Sequence, residues 1–133
     1  MKYLIDSCVL LWLIMDSEKL SPRAQAIIAA PHVDVYASTV SLWELSLKYA
    51  RGKLALEGVE VEDFQEILFE SGLALIGLNE QESSSYSRLS AVENHRDPFD
   101  RMLIWQAITR GMTLISSDKA FDAYRSFGLR LLW

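Results

Sequence analysis

The sequence predicts an α/β fold, a three-layer α/β/α sandwich with a mostly parallel central sheet. Short apolar runs bounded by turn residues alternate with helical segments along the chain, and this alternation is typical of strands joined by right-handed crossover helices. The 133 residues are 50% hydrophobic and 23% charged and include only six Gly and three Pro. This composition and length favour one folded domain over residues 1–133.

The predicted elements follow from local signals in order along the chain. The five apolar runs expected to form strands are residues 2–5, 33–37, 73–76, 113–116 and 129–132. The expected helices are residues 7–14, 22–30, 42–50, 61–70, a weakly amphipathic stretch within 79–93, 98–110 and a short segment 119–127. Ser21 and Asp97 each precede a proline, which is the pattern of an N-cap followed by proline at the first helical position. Gly52 and Gly72 are placed to end helices.

Charge and cysteine content restrict the class of protein. The net charge of −5 argues against binding nucleic acid by bulk charge alone. The charge-free stretch 7–15 is far shorter than the roughly 18 apolar residues of a membrane span, and Asp6 interrupts the apolar run that a secretory signal needs. Cys8 lies in an apolar run, which predicts a small buried side chain without an internal disulfide partner. We therefore expect a cytoplasmic protein with no membrane segment.

Acidic residues stand at the ends of two predicted strands and inside one apolar helix. Asp6 follows the first strand and Asp118 follows the fourth, at the sheet edge where parallel α/β proteins bind ligands. Each aspartate also has a purely structural interpretation as the cap of the next helix. Glu44 lies in the most apolar part of its helix, where a pair with Lys48 at i, i+4 is the structural alternative.

The stretch from His95 to Arg101 combines a helix start with further acids. Asp97 as N-cap and Asp100 at the third helical position fit a capping box. Asp100 nevertheless shares a helical stripe with apolar residues that should face the sheet. His95 has no second histidine or cysteine at metal-ligand spacing, so we expect it to be exposed or hydrogen-bonded.

Convergence of these acids would create a metal site. Like charges brought together in a partly dry pocket resist ionisation unless a cation neutralises them. Oxygen ligands without cysteine or histidine select Mg²⁺ or Mn²⁺, which can activate water against a phosphate ester without a nucleophilic side chain. The four candidate metal ligands and catalytic residues are Asp6, Glu44, Asp100 and Asp118.

Four sequence blocks carry a resemblance to a known family. They are residues 3–12, 38–45 with 48–54, 95–104 and 114–118, and each contains one of the four acids. These blocks resemble the PIN-domain family, most closely its VapC group of toxin ribonucleases from bacterial toxin–antitoxin pairs. The resemblance implies a PIN-like α/β/α domain whose acidic pocket binds Mg²⁺ or Mn²⁺ and cleaves single-stranded or loop RNA.

The resemblance also assigns roles to individual residues. By block position, Asp6, Glu44 and Asp100 match the main acids, and Asp118 matches the accessory acid. Ser7 and Ser116 match hydroxyl positions close to the metal or its water, while Asp97 is a helix cap or a group around the metal ligands. Trp105 stands where the family usually has alanine, which would alter packing without touching the acids.

The family further implies a homodimer and a small antitoxin protein as partner. Helices 42–50 and 61–70 carry wider apolar coverage than one sheet-facing stripe needs, so part of this surface is expected to bind another chain. Full burial within the monomer is the alternative. The basic residues considered for phosphate contacts, or for a plain solvated surface, are Lys48, Arg51, Lys53, Arg96 and Arg101.

Three other functions share part of this pattern. A metal-dependent phosphatase would use the same acids and metals on a phosphomonoester. A catalytically silent PIN-like module would only bind a partner. A phosphoacceptor receiver-like domain needs an aspartate at the end of its central strand; taking the third strand as central, its end at 76–78 has none.

Overall fold

The computed structural model describes all 133 residues and contains one five-stranded sheet. Its strands are β1 (Lys2–Ile5), β2 (Asp34–Ser38), β3 (Ala74–Ile76), β4 (Thr113–Ile115) and β5 (Arg130–Leu132). They lie in the order β3-β2-β1-β4-β5, and every neighbouring pair is parallel. The predicted parallel sheet is therefore confirmed, and all five apolar runs form strands within one or two residues of the expected bounds.

Helices connect the strands as the sequence predicts. The α-helices are α1 (Ser7–Met15), α2 (Pro22–Ala29), α3 (Thr39–Ala50), α4 (Phe64–Glu70), α5 (Glu80–Ser85) and α6 (Pro98–Arg110). Short 3-10 helices occupy Ser17–Lys19, Val61–Asp63, Tyr86–Arg88 and Lys119–Phe127. Helix α3 begins three residues earlier than expected because the Ser38 hydroxyl accepts a hydrogen bond from the Val40 amide. None of the helices has the length and apolar content that crossing a membrane requires.

Alternation along β1 divides the core into two layers of side chains. Leu4 points into a cluster formed with α6 and the 3-10 helix Lys119–Phe127. Tyr3 and Ile5 point into the opposite cluster, which contains residues of α1 to α4. Because successive strand residues face opposite sides of a sheet, both faces of β1 are buried by helices. This arrangement is the predicted three-layer α/β/α sandwich.

The strand order places β1, not β3, at the centre of the sheet. The prediction that the third strand is central was wrong, because sequence order does not reveal which strands become neighbours. An aspartate, Asp6, does follow the central strand, so a receiver-like domain is not excluded by a missing aspartate. That alternative is excluded instead by strand order, since flavodoxin-like domains have the order 2-1-3-4-5 and this sheet has 3-2-1-4-5.

All five strands end at the same edge of the sheet because they are parallel. Helix α6 returns the chain to that sheet through Gly111, whose φ of +65° ends the helix in the left-handed region that glycine adopts easily. At the carboxyl edge, the Asp6 amide donates to the Ile115 carbonyl at 3.2 Å, so the ends of β1 and β4 are held side by side. The residues that follow these two strands therefore share one location.

Candidate functional site

A cavity of about 470 Å³ opens at the carboxyl edge of the sheet, beside the ends of β1 and β4. Carboxylates dominate its polar wall, and the basic side chains that line it are Lys48 and Lys53. The acids in the wall are Asp6, Glu44, Asp97, Asp100 and Asp118. All four acids named as candidate ligands thus lie around one space, together with Asp97.

Asp6 is the most enclosed aspartate of the cavity, with 5% of its surface exposed. Its Oδ1 accepts a hydrogen bond of 2.8 Å from the Val9 amide and caps α1. Burial raises the pKa of Asp6 to about 6; the Ser116 hydroxyl and the Val9 amide oppose this shift, and the charges of Asp118 and Glu44 add to it. Asp6 is therefore both the N-cap of α1 and part of the cavity wall.

Glu44 is buried with 3% of its surface exposed, and both of its oxygens have partners. Oε1 accepts from the Ser7 hydroxyl at 2.6 Å, and Oε2 accepts from Lys48 Nζ at 2.7 Å. The Ser7 hydroxyl also lies 2.9 Å from the Ser41 hydroxyl. The expected i, i+4 pair with Lys48 is present, and its hydrogen bond to Glu44 raises the pKa of the lysine. Ser7 therefore lies beside an acid of the cavity.

Asp97 and Asp100 form only half of the expected capping box. The Asp97 carboxylate accepts from the Asp100 amide at 2.9 Å, which confirms Asp97 as the N-cap of α6. The Asp100 carboxylate makes no return bond to the Asp97 amide and lies instead 3.4 Å from His95 Nε2. Burial, followed by the charges of Asp97 and Glu44, raises the pKa of Asp100 to about 7. One oxygen from each of Glu44, Asp97 and Asp100 lies within 4.8 Å of the others.

Asp118 lines the cavity beyond the end of β4. Its carboxylate accepts from the Ala120 amide at 2.9 Å and caps the 3-10 helix that follows. The Asp118 amide donates to the buried Ser116 hydroxyl at 3.1 Å. A carboxylate oxygen of Asp118 lies within 4.8 Å of ligand atoms of both Asp100 and His95. The exposed Asp118 and the buried Asp6 both lie close to the end of β4.

Of the two positions expected for His95, at the surface or hydrogen-bonded, the structure has the hydrogen-bonded one. Its Nδ1 lies 2.7 Å from the Tyr124 hydroxyl, and its side chain is only 10% exposed. Tyr124 is fully buried and was not singled out from the sequence. Its hydroxyl approaches the site only through the packing of residues distant in the chain. No local pattern around Tyr124 signals that position.

Two predictions about individual residues were wrong. Cys8 is exposed and lines the cavity, because α1 turns this position away from the buried face that contains Val9 and Leu10. Arg101 is neither solvated nor a phosphate contact at the rim, since only 9% of it is exposed. Its guanidinium donates to the hydroxyls of two tyrosines and to two backbone carbonyls.

The other basic and aromatic candidates lie at the surface or beside it. Arg51 and Arg96 are exposed and do not line the acidic cavity, whereas Lys48 and Lys53 do. Trp105 donates its indole N–H to the Ser85 hydroxyl at 3.1 Å, so it joins α6 to the end of α5 and does not line the acidic cavity.

An all-parallel sheet between two layers of helices, with a carboxylate-lined cavity at its carboxyl edge, defines the class of domain. The family follows from a sequence match. The model of the PIN domain family matches residues 3–126. The chain therefore belongs to the PIN domain family, as the four blocks predict. A comparison with curated proteins finds no match.

Solved structures share the fold at low sequence identity. VapBC2 from Rickettsia felis, bound to a DNA fragment from its promoter, has a TM-score of 0.70 at 18% identity, over 99% of this chain and 98% of that chain. VapBC-1 from nontypeable Haemophilus influenzae has a TM-score of 0.65 at 21% identity, over 99% and 97%. VapBC-5 from Mycobacterium tuberculosis, a member of a family of toxin–antitoxin systems, has a TM-score of 0.61 at 17% identity, over 98% and 97%.

Proposed function

We propose that this PIN domain is a Mg²⁺- or Mn²⁺-dependent endoribonuclease that acts in the cytoplasm as the toxin of a toxin–antitoxin pair. The observation that carries the proposal is the convergence of Asp6, Glu44, Asp100 and Asp118 on one cavity. Membership of the PIN domain family supports the nuclease activity. The similarity to VapBC structures supports the toxin role.

The donor set of the cavity fits a hard divalent cation. Five carboxylates line it against two lysines, so its charge is uncompensated when all of them ionise. Burial, together with the charges of neighbouring carboxylates, raises the pKa values of Asp6 and Asp100, and a bound cation would favour their ionised forms. Oxygen donors of this kind suit Mg²⁺ or Mn²⁺. The residues proposed to hold the ion are Asp6, Glu44, Asp100 and Asp118, with Asp97, Ser7 and Ser116 around them.

The chain's own residues prepare the site for hydrolysis of a phosphodiester. A bound divalent ion activates water and stabilises negative charge on phosphate oxygens. Ser7 and Lys48 together hold Glu44 in one orientation through its two oxygens. Lys53, and the half-exposed Lys48, are available to bind the phosphates of an RNA strand that enters the cavity. No covalent intermediate is part of this proposal.

The partner part of the proposal rests on apolar surface that the monomer leaves exposed. Trp43 is 65% exposed and Tyr49 50% on α3, and Phe69 is 80% exposed on α4. Phe69 also lines a second cavity, between α4 and the edge strand β3. Exposed apolar patches often mark protein–protein interfaces, and apolar grooves can bind amphipathic helices. We therefore propose that a small antitoxin covers part of this surface and that the protein forms a homodimer.

Cleavage of a cellular RNA pool tests the nuclease. We expect cuts, mapped by sequencing the new ends, with Mg²⁺ or Mn²⁺ and none in EDTA. Asp100→Asn should remove most cleavage. Asp34→Asn, which removes the same charge from an exposed position at the amino end of β2, should not. Full activity of a metal-stripped sample in EDTA would contradict the proposal.

Two further outcomes distinguish the alternative functions. Hydrolysis of a phosphomonoester that RNA fails to inhibit would favour a phosphatase. Binding of a partner without hydrolysis of either substrate would favour a silent module.

For the toxin role, the product of a short reading frame beside this gene should bind the chain in a pull-down and suppress cleavage. Light scattering of the purified protein measures the expected dimer.

A further inference from the structure

We infer that His95 is a positioning residue that donates its Nε2–H to Asp100 and holds that carboxylate in one orientation toward the cavity. The inference rests on the proposed function, because Asp100 is one of the proposed metal ligands. It goes beyond that function by assigning a role to an imidazole and to its buried anchor, Tyr124. His95 itself is not proposed to contact the metal or the substrate.

The imidazole is held in one plane by its surroundings. Its Nδ1 lies 2.7 Å from the Tyr124 hydroxyl, and its Nε2 lies 3.4 Å from Asp100 Oδ2. The rings of Phe121 and Tyr124 meet it edge to face, with centroid distances of 5.6 and 5.3 Å and interplanar angles of 70° and 73°. The contact with Asp100 is at the long end of hydrogen-bond distances. The direction of the imidazole is therefore determined by packing, independently of Asp100.

The hydrogen bonds of Tyr124 determine which imidazole nitrogen carries the proton. Tyr124 is fully buried, and its hydroxyl contacts only Arg101 Nη1, at 2.9 Å, and His95 Nδ1. A guanidinium can only donate, so the phenol oxygen accepts from Arg101. The phenol proton then has one available acceptor, the Nδ1 of His95. The neutral imidazole consequently carries its proton on Nε2, which faces Asp100.

The reverse arrangement leaves a buried donor without a partner. If Nδ1 carried the proton, it would donate to the phenol oxygen of Tyr124, and the phenol O–H would have no acceptor. An unpaired buried hydroxyl is destabilising, and no buried side-chain polar atom of this structure lacks a partner. In that arrangement a lone pair on Nε2 would also face the Asp100 carboxylate whenever Asp100 is ionised. Both consequences favour the Nε2–H form.

The loop that carries His95 is anchored by the same arginine. Arg101 donates to the carbonyl of Leu89 at 3.0 Å and so ties the start of the loop to α6. Further along, the His95 amide donates to the Val92 carbonyl at 3.3 Å, in a turn where Asn94 has a φ of +64°. Asparagine tolerates this left-handed conformation better than most residues. The turn and the arginine thus present His95 to Asp100 at a set position.

The charge environment explains why Asp100 needs such a partner. Asp97 and Glu44 place carboxylate oxygens within 4.8 Å of an Asp100 oxygen, so repulsion between ionised carboxylates favours rotation of the Asp100 side chain out of this arrangement. The contact of Asp100 Oδ2 with His95 Nε2 tethers one oxygen of the carboxylate and so restricts its rotation. Groups that orient metal ligands in this way typically change activity by about 10- to 100-fold when they are removed.

The tautomer is measurable in the metal-free protein, without any activity. Long-range ¹H–¹⁵N correlation spectra should show the proton of His95 on Nε2. In Tyr124→Phe, His95 should lose this preference. A proton on Nδ1 of His95 in the wild type would overturn the inference. Replacement of the Nε2 proton when Mg²⁺ is added would also overturn it, because His95 would then be a ligand.

A matched pair of amides tests the consequence for catalysis. In His95→Gln the carboxamide nitrogen reaches the position of Nε2 and can still donate to Asp100. In His95→Asn the amide reaches only the position of Nδ1. We expect His95→Gln to keep a kcat close to the wild type, and His95→Asn to lose about 10- to 100-fold in kcat with an unchanged KM for RNA.

Equal losses in the two variants, or none in either, would overturn the positioning role. Thermal unfolding of both variants checks that they fold. A wild type that does not cleave RNA would refute the proposed function, while the tautomer measurement would still decide the inference about His95.

Discussion

Neutralising Asp100 should stabilise the metal-free protein. The Asp100 side chain is 26% exposed, and burial with the charges of Asp97 and Glu44 raises its pKa to about 7 from 3.8. A carboxyl whose pKa is higher in the folded state binds more protons there. Protonation of Asp100 therefore stabilises the folded chain fully below about pH 4, and this stabilisation is lost as the pH rises through about 7. At pH 8 the ionised Asp100 destabilises the fold.

The size of the effect follows from the shift in pKa. Each unit corresponds to about 1.4 kcal/mol, so the full shift would be about 4 kcal/mol at pH 8. Partial exposure and repulsion shared among several carboxylates reduce our expectation to about 2 kcal/mol. Asp100→Asn removes the charge and keeps an oxygen that can accept from His95. We expect its melting temperature at pH 8 to rise by about 6 °C.

Thermal unfolding of EDTA-treated protein between pH 5 and pH 8 measures this effect. The wild type should lose stability as the pH rises, and Asp100→Asn should lose less. The melting temperature of Asp6→Asn should also rise, but by less, because the pKa of Asp6 is raised only to about 6. Asp34→Asn is the control and should follow the wild type. Adding Mg²⁺ should stabilise the wild type more than Asp100→Asn.

Either of two results would refute this reasoning. One is a melting temperature of Asp100→Asn several degrees below the wild type at pH 8. The other is a wild type whose metal-free stability does not fall between pH 5 and pH 8. Either result would mean that burial and the neighbouring carboxylates do not raise the pKa of Asp100 in the folded chain.

Three further substitutions test separate parts of the structure. Asp97→Ala should cost about 1 kcal/mol in denaturant unfolding and leave RNA turnover near the wild type; loss of cleavage at unchanged stability, with Asp100→Ala active, would reverse the two roles. Arg101→Lys should destabilise by about 2–3 kcal/mol, because one ammonium cannot satisfy four acceptors, whereas Arg96→Lys should be neutral. Lys53→Ala should raise KM at unchanged kcat and lower the salt dependence of RNA binding by about one phosphate contact, and an unchanged salt dependence would contradict that contact.

Local signals were sufficient to predict most of the elements. Ser21 and Asp97 mark helix starts because a cap and a following proline act within one turn of the chain, and both capping bonds are present. Strand order is different, since pairing depends on segments far apart in sequence. The position of β1 at the centre of the sheet was therefore predicted wrongly, although the strand itself was predicted correctly.

The wrong predictions for Cys8 and Arg101 have physical reasons of the same kind. Helix α1 is apolar all round, so periodicity assigns no face to Cys8. Arg101 is buried because Tyr86 and Tyr124, 15 and 23 residues away in the chain, supply acceptors that satisfy its guanidinium. Burial of a charge depends on such partners, and sequence spacing does not reveal them. The participation of Tyr124 was missed for the same reason.

The cap and the cavity are not competing explanations of the aspartates. Asp6, Asp97 and Asp118 each use Oδ1 to accept a backbone amide at the start of a helix, at 2.8, 2.9 and 2.9 Å. Capping with one oxygen restricts the side chain and leaves the other oxygen free of that bond. The partial positive charge of the helix start also favours the ionised form that a metal ligand needs. Helices that begin at the carboxyl edge of a parallel sheet therefore orient carboxylates toward a common space, so a residue chosen by the sequence as a cap is also well placed as a ligand.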